Sequence, residues 1–220
     1  MKKQLLLLIV PVILIASPSF NQSKRLLKDI YSNHQTTFYC GCDYTYANKG
    51  NMIDRASCGY SPRNPKTKKG KDNMRARRIE WEHIMPAENF GRHLPCWKEG
   101  GRKHCRKVSE KFREMEADMM NLVPAIGELN GDRSNYRYGA LEPHVGQYGE
   151  CRFEVDFKGR RAMVSPNIRG DIARVYLYMS KRYGIPLSKQ ERKMMEVWAK
   201  EDPESAWERE KLKRLRKLND

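Results

Sequence analysis

The chain has 220 residues, 39% of them hydrophobic and 32% charged, and its 43 lysines and arginines outnumber 27 acids for a formal net charge of +16. That length suits one domain with a substantial core, and a lone apolar run at the N-terminus excludes a protein of several membrane spans. The positive surplus favours polyanionic partners, nucleic acid or an anionic envelope, and carries no sequence information of its own.

Lys2 and Lys3 precede an apolar run over residues 5–15, broken only by Pro11, and Ala16-Ser17-Pro18-Ser19 follows. Charged, then apolar, then small is the order of a secretory signal peptide. Residues 1–19 are therefore read as a signal peptide, and residues 20–220 as a single exported domain with a charged C-terminal helix. Residues 21–32 place Ser23, Leu26, Leu27, Ile30 and Tyr31 at helical spacing, a scaffold helix with one face on the core. Residues 35–59 are loop-rich. Residues 61–71, rich in Pro, Lys and Asn, read as an exposed basic loop, either simply solvated or an edge for phosphates.

Ile79, Trp81 and His83 alternate with Glu80 and Glu82, the period of a half-buried strand, and Pro86 both ends pairing and suits the first turn of a short helix over residues 86–90. In an extended strand His83 and Glu82 point to opposite faces, so they share one site only if the strand ends or bends there. On these residues alone, a core strand with one buried, satisfied histidine is an equal reading.

Cys40, Cys42, Cys58, Cys96, Cys105 and Cys151 form an even set behind an export signal, which predicts up to three disulfides in an oxidising compartment. Cys96 and Cys105 bracket a short Gly-rich loop over residues 97–104 and are the firmest pair. A zinc site near His93 and His104 is the competing reading, disfavoured because Cys-x2-Cys spacing is missing. Ser109 reads as the N-cap of a helix carrying Phe112, Met115, Glu116, Met119 and Met120. Residues 121–125 suggest a second short strand ended by Pro124, and a helix from Ala125 or Ile126 carries Glu128, Leu129, Asn130 and Arg133. Gly127 and Gly131 weaken that helix, so a packing or ligand reason for it is expected.

Residues 151–158 alternate cleanly and predict a strand with Cys151, Phe153, Val155 and Phe157 on one face. Ile168, Ile172, Val175, Tyr176 and Met179 form a helical stripe, and Ser188 with Glu191 predicts a capping box ahead of Met194, Met195, Val197 and Trp198. Residues 203–218 read as a charged helix with Leu212, Leu215 and Leu218 on one side, docked or frayed on the surface. His34, His93, His104 and His144 read as exposed loop histidines.

Two short strands, one ending at His83 and the other near residues 121–123, followed by a helix bearing Asn130, would bring an imidazole and an amide carbonyl toward one small volume. Together with Glu80-Trp81-Glu82-His83, the stretches Gly100-Gly101-Arg102-Lys103, Met115-Glu116-Ala117-Asp118-Met119, Gly127-Glu128-Leu129-Asn130-Gly131-Asp132-Arg133 and Gly146-Gln147-Tyr148-Gly149 run in register with a known pattern. In these motifs, colinear over residues 25–200, the chain resembles the endonuclease I family of periplasmic and secreted nonspecific nucleases, which carry the ββα-metal (His-Me finger) motif. The resemblance implies an α+β fold, mixed helices and short antiparallel strands around that motif. It further implies a monomeric, metal-dependent endonuclease, periplasmic or secreted, that cuts double- and single-stranded DNA, and RNA, to 5′-phosphate ends.

Carried over position by position, it implies His83 as general base, Arg102 as the arginine that holds the scissile phosphate, and Glu82 and Asn130 as metal ligands. The implied cofactor is Mg2+, with Ca2+ or Mn2+ as alternatives. The chemistry of these side chains agrees: an imidazole, with an ordinary pKa of about 6.5, is a base near neutrality. Carboxylate and amide oxygens suit hard divalent cations, and a guanidinium forks onto phosphate oxygens as an ammonium does not. Glu80 competes as the ligand, Glu128 reads as a surface acid or a supporting partner, and Glu116 and Asp118 as orienting or capping acids. A noncatalytic basic nucleic-acid-binding protein of the cell envelope shares the charge, yet has no need of His83, Glu82 and Asn130 together. A zinc peptidase is disfavoured because no His-Glu-x-x-His helix exists. Where some relatives carry a cysteine after a Trp-Glu pair, this chain has Trp207-Glu208-Arg209, which implies a smaller disulfide network.

Overall fold

The computed structural model describes residues 18–47 and 50–218, so most of the expected signal peptide lies outside the described residues. The first helix, α1 (Phe20–Ile30), opens on a complete capping box between Ser19 and Gln22. It buries Ser23, Leu27 and Ile30, one face at helical spacing. Two strands follow, β1 (Tyr44–Ala47) and β2 (Gly50–Ile53), paired antiparallel with Tyr44 opposite Ile53.

β3 (Ile79–His83) then runs antiparallel to β4 (Leu122–Ile126), with His83 opposite Leu122 and Ile79 opposite Ile126. The 38 residues between them carry α2 (Ala87–Gly91), α3 (Pro95–Val108) and α4 (Glu110–Ala117). β4 runs directly into α5 (Gly127–Arg133), completing a strand, strand, helix unit. Pro124 sits inside β4 rather than ending it. Its backbone faces away from β3, since its carbonyl accepts from Phe38 N at 2.8 Å, so the missing N–H removes no bond from the β3–β4 ladder.

A second sheet contains β5 (Arg137–Gly139), β6 (Phe153–Asp156) and β7 (Arg161–Val164), with β7 central, antiparallel to β6 and parallel to β5. The alternation over residues 151–158 is real but the strand is shorter, and Phe157 lies past it in a turn, where the Arg63 guanidinium covers its ring. The chain ends with α6 (Arg169–Tyr183), α7 (Lys189–Glu201) and α8 (Ala206–Arg216). Ser188 accepts from Glu191 N, so one arm of the expected capping box forms at the start of α7.

Two expectations change in the helical middle, and a third is met. Residues 97–104 are not a loop: α3 spans both cysteines and is interrupted only at Gly100 and Gly101. Gly101, at φ +61°, supplies the left-handed residue that restarts the helix. Ser109 caps α4 as expected, but the helix stops at Ala117 because Asp118 accepts from Met120 N and opens a separate 3-10 turn holding Met119 and Met120. Gly127 and Gly131 have a packing reason: a side chain at either position would collide with Arg75.

All six cysteines are paired, Cys96–Cys105 as expected, with Cys40–Cys151 and Cys42–Cys58. No thiolate is left for a zinc site. The charged tail docks rather than frays. Leu215 is buried, Lys211 Nζ donates to Leu122 O at 3.0 Å, and Arg214 Nη1 donates to Ile30 O at 2.6 Å. His34 is half-buried, stacked on Trp207 of α8 with ring centroids 3.9 Å apart, and His104 is part of α3; His93 and His144 are exposed. Residues 66–71 are exposed, and the basic loop is pinned where Arg63 N and Asn64 N donate to Glu128.

Candidate active site

A cleft of about 790 Å³ opens along β3 and the start of α1, and His83, Glu82, Arg102 and Asn130 all line it. β3 ends at His83, which lets neighbours that an extended strand would separate reach the same cleft. Both are buried, Glu82 at 3% exposure and His83 at 6%.

The imidazole is held from Nε2, which lies 2.8 Å from the carbonyl oxygen of Glu116. A carbonyl only accepts, so Nε2 carries the proton and the neutral ring keeps its lone pair on Nδ1. Burial, reinforced by the nearby Arg102 charge, pushes the His83 pKa down to about 4, which keeps the ring neutral at physiological pH.

Glu116 also holds the arginine. Its carboxylate accepts from Arg102 Nε at 2.6 Å and from Arg106 Nε at 2.7 Å. Burial alone would raise the Glu116 pKa, but the hydrogen bonds from Arg106 and Arg102 hold it below the usual carboxylate value. Because Glu116 takes Arg102 through Nε, that bond leaves both terminal guanidinium nitrogens, the fork that grips phosphate, unconsumed. One residue thus fixes the histidine through its backbone and the arginine through its side chain.

Glu82 is anchored from behind. Tyr39 Oη donates to its Oε1 at 2.9 Å and Arg133 Nη1 to the same oxygen at 3.1 Å, so these bonds do not consume Oε2. Burial raises the Glu82 pKa to about 7, against the Arg133 charge and the Tyr39 hydrogen bond, which both favour the carboxylate. Arg133, fully buried, also donates to His83 O at 3.0 Å and Ile84 O at 2.6 Å. Asn130 precedes Arg133 by three residues on α5, the same helix face, and its side-chain amide bonds to no other described residue. Asn121 completes the frame: its amide takes Met85 N at 2.7 Å and gives to Met85 O at 3.0 Å, fixing the chain just past His83.

The donor chemistry suits a hard divalent cation, since Glu82 and Asn130 present a carboxylate and an amide oxygen to one cleft. Among the described residues no group of three or more His, Cys, Asp or Glu gathers around a possible ion. Glu80 is poorly available, both of its oxygens being engaged by Arg75 and Arg78. Glu128 is neither a surface acid nor part of this cleft: it is buried and accepts from Tyr60 Oη at 2.6 Å.

The sequence pattern of the family described as Endonuclease I matches residues 19–219. The chain belongs to this family. As a member of it, the endonuclease is a hydrolase acting on phosphodiester bonds. It is similar to an extracellular deoxyribonuclease of Aeromonas hydrophila, 48% identical over 91% of this chain and 85% of the relative. A periplasmic deoxyribonuclease of the same organism is 46% identical over 97% and 87%. An endonuclease-1 of Buchnera aphidicola is 46% identical over 88% and 75%. These relatives agree with a periplasmic or secreted location for the endonuclease, and no helix among its described residues is long and apolar enough to cross a membrane.

Glu116, Arg133, Tyr39 and Asn121 were the supports that pattern reading missed or left vague. The one available signal for Arg133 was its i, i+3 spacing from Asn130. The others act from 33 to 43 residues away from the residue they hold.

Proposed function

We propose that this endonuclease hydrolyses DNA, double- or single-stranded, and RNA, without sequence preference, leaving 5′-phosphate ends. The observation that carries the reading is Glu116, whose carbonyl orients His83 while its carboxylate tethers Arg102 in the same cleft. His83 Nδ1 takes the proton of an attacking water. Arg102 directs its terminal nitrogens to the oxygens of the scissile phosphate and opposes the charge that grows there. Glu82 and Asn130 hold a divalent cation, Mg2+ with Ca2+ or Mn2+ as substitutes. When bound, that cation supplies Lewis-acid stabilisation of the phosphate and of the departing 3′ oxygen. Lys24, Arg75, Arg78 and Arg106 also line the cleft and contact backbone phosphates, which position a strand without reading its bases. The enzyme acts as a monomer, on residues 20–220 after loss of the signal peptide.

The test is supercoiled plasmid incubated with purified protein in Mg2+ or in EDTA, beside His83→Ala. Metal-dependent nicking that the variant loses while still shifting DNA in a gel supports the assignment. Nicking by His83→Ala at the wild-type rate removes His83 from the base role, and plasmid shifted but intact in every lane favours a noncatalytic nucleic-acid-binding protein.

A further inference from the structure

Phe20, the first residue of α1, lies far along the chain from β3, β4 and α5, yet its ring stacks on the imidazole of His83. The centroids are 5.1 Å apart and the planes 27° from parallel. Phe90 approaches the same imidazole at 5.8 Å and 56°. A general base needs an open edge, not an open face, because its lone pair lies in the ring plane. Covering a face therefore leaves Nδ1 available while obstructing rotation about the Cβ–Cγ bond, and a half turn would carry Nε2 off the Glu116 carbonyl.

Phe20 is itself fixed. Three residues on, Ser23 Oγ donates to Ala117 O at 2.6 Å, one residue beyond Glu116, and this bond survives loss of residues 1–19. Lys24 Nζ lies 4.8 Å from the Phe20 ring centroid, with the Arg106 and Arg102 guanidinium carbons at 5.7 and 5.9 Å. Cations at such range are attracted to an aromatic face. The ring is thus seated between the histidine and the cations that line the cleft.

We infer that Phe20 is a positioning residue of this nuclease: it holds the His83 imidazole in the orientation that aims Nδ1 into the cleft and keeps water off the ring face. The inference rests on His83 as the base. Its test measures initial rates on double-stranded DNA for Phe20→Ala, Phe20→Leu and Phe20→Tyr. In parallel, carbethoxylation of each histidine by diethylpyrocarbonate is followed by peptide mass spectrometry, with exposed His93 and His144 as internal references. Phe20→Ala is expected to lower kcat roughly ten- to a hundredfold, the scale of a loosened catalytic group, with KM little changed. His83 should then react several-fold faster relative to the references, because a ring free to turn brings Nε2 off the Glu116 carbonyl and presents either nitrogen to the reagent. Phe20→Tyr should restore both, and Phe20→Leu, which keeps bulk without a flat ring, should fall between. Wild-type kcat in Phe20→Ala, a higher kcat, or a loss of kcat without any change at His83 would each overturn the inference. The modification arm reads how firmly the ring is held without reference to turnover. Failure of the base assignment, seen as full activity in His83→Ala, is therefore distinguishable from failure of the role given to Phe20.

Discussion

Substituting Glu116 by glutamine removes the charge that tethers Arg102 and Arg106 while leaving the backbone carbonyl that orients His83 untouched. Three guanidinium contacts within 2.7 Å are weakened by that change. A hydrogen bond to a charged group contributes about 1.5–3 kcal/mol when well buried. Arg102 and Arg106 are 41% and 45% exposed, so solvent screens most of that value. The net loss should be on the order of 1–2 kcal/mol, a fall in Tm of a few degrees for a domain of this size. The effect on rate should be out of proportion to it, because an arginine displaced by about 1 Å from the phosphate costs about a hundredfold. Initial rates of plasmid nicking at saturating DNA, measured beside thermal melts, separate the two. Arg106→Gln supplies the control: it should lose similar stability yet keep the tether on Arg102 and, at saturating DNA, most of kcat, its lost phosphate contact appearing in KM instead. Wild-type kcat in Glu116→Gln, with the expected fall in Tm, would refute the claim that this carboxylate places Arg102.

Asp171 carries a pH prediction. Burial, and next the charge of Glu208, raise its pKa from 3.8 to about 7. Between those values the unfolded chain releases the proton and the folded chain keeps it, so stability falls as pH rises, and the full penalty is present above the folded pKa. Asp171→Asn should therefore be more stable than wild type at pH 8, by on the order of 2–4 kcal/mol, with the advantage vanishing toward pH 4. Urea melts at both pH values measure it, and a pH-independent difference would rule out titration of Asp171 as the cause. The disulfides should rank by the length of chain they close. Losing Cys40–Cys151, separated by 111 residues, should cost about 5 kcal/mol, and losing Cys96–Cys105, separated by 9, about 3 kcal/mol. Urea midpoints of the paired alanine variants would show the order, and an inverted ranking would mean that native-state effects outweigh chain entropy.

The sequence carried the centre of the site better than its surroundings. Alternation up to His83, and the requirement that the strand end there, are local signals, and β3 ends at that residue. Asn130 was placed correctly on a helix following a strand. What failed were features decided by distant contacts or by backbone direction. Gly100 and Gly101 made α3 look like a loop, although one left-handed residue merely restarts the helix there. Pro124 looked like a strand end because period and propensity do not reveal which edge of a strand its nitrogen faces. Glu116 resembled any acid on a helix, and only folding brings its carbonyl to a histidine 33 positions earlier. Arg133 read as the polar end of a short helix, yet it is fully buried and bonds to three consecutive residues of the β3 end.

α8 reaches the site through the helix it holds. The last described helix closes over the first described one: Arg214 bonds the final carbonyl of α1, and Lys211 bonds the start of β4. Phe20 therefore takes its seat on His83 within a helix whose far end is secured by Arg214, 184 positions after Ile30. Loss of α8 would remove the bonds that hold the far end of α1 and the start of β4, so this helix supports the cleft without lining it.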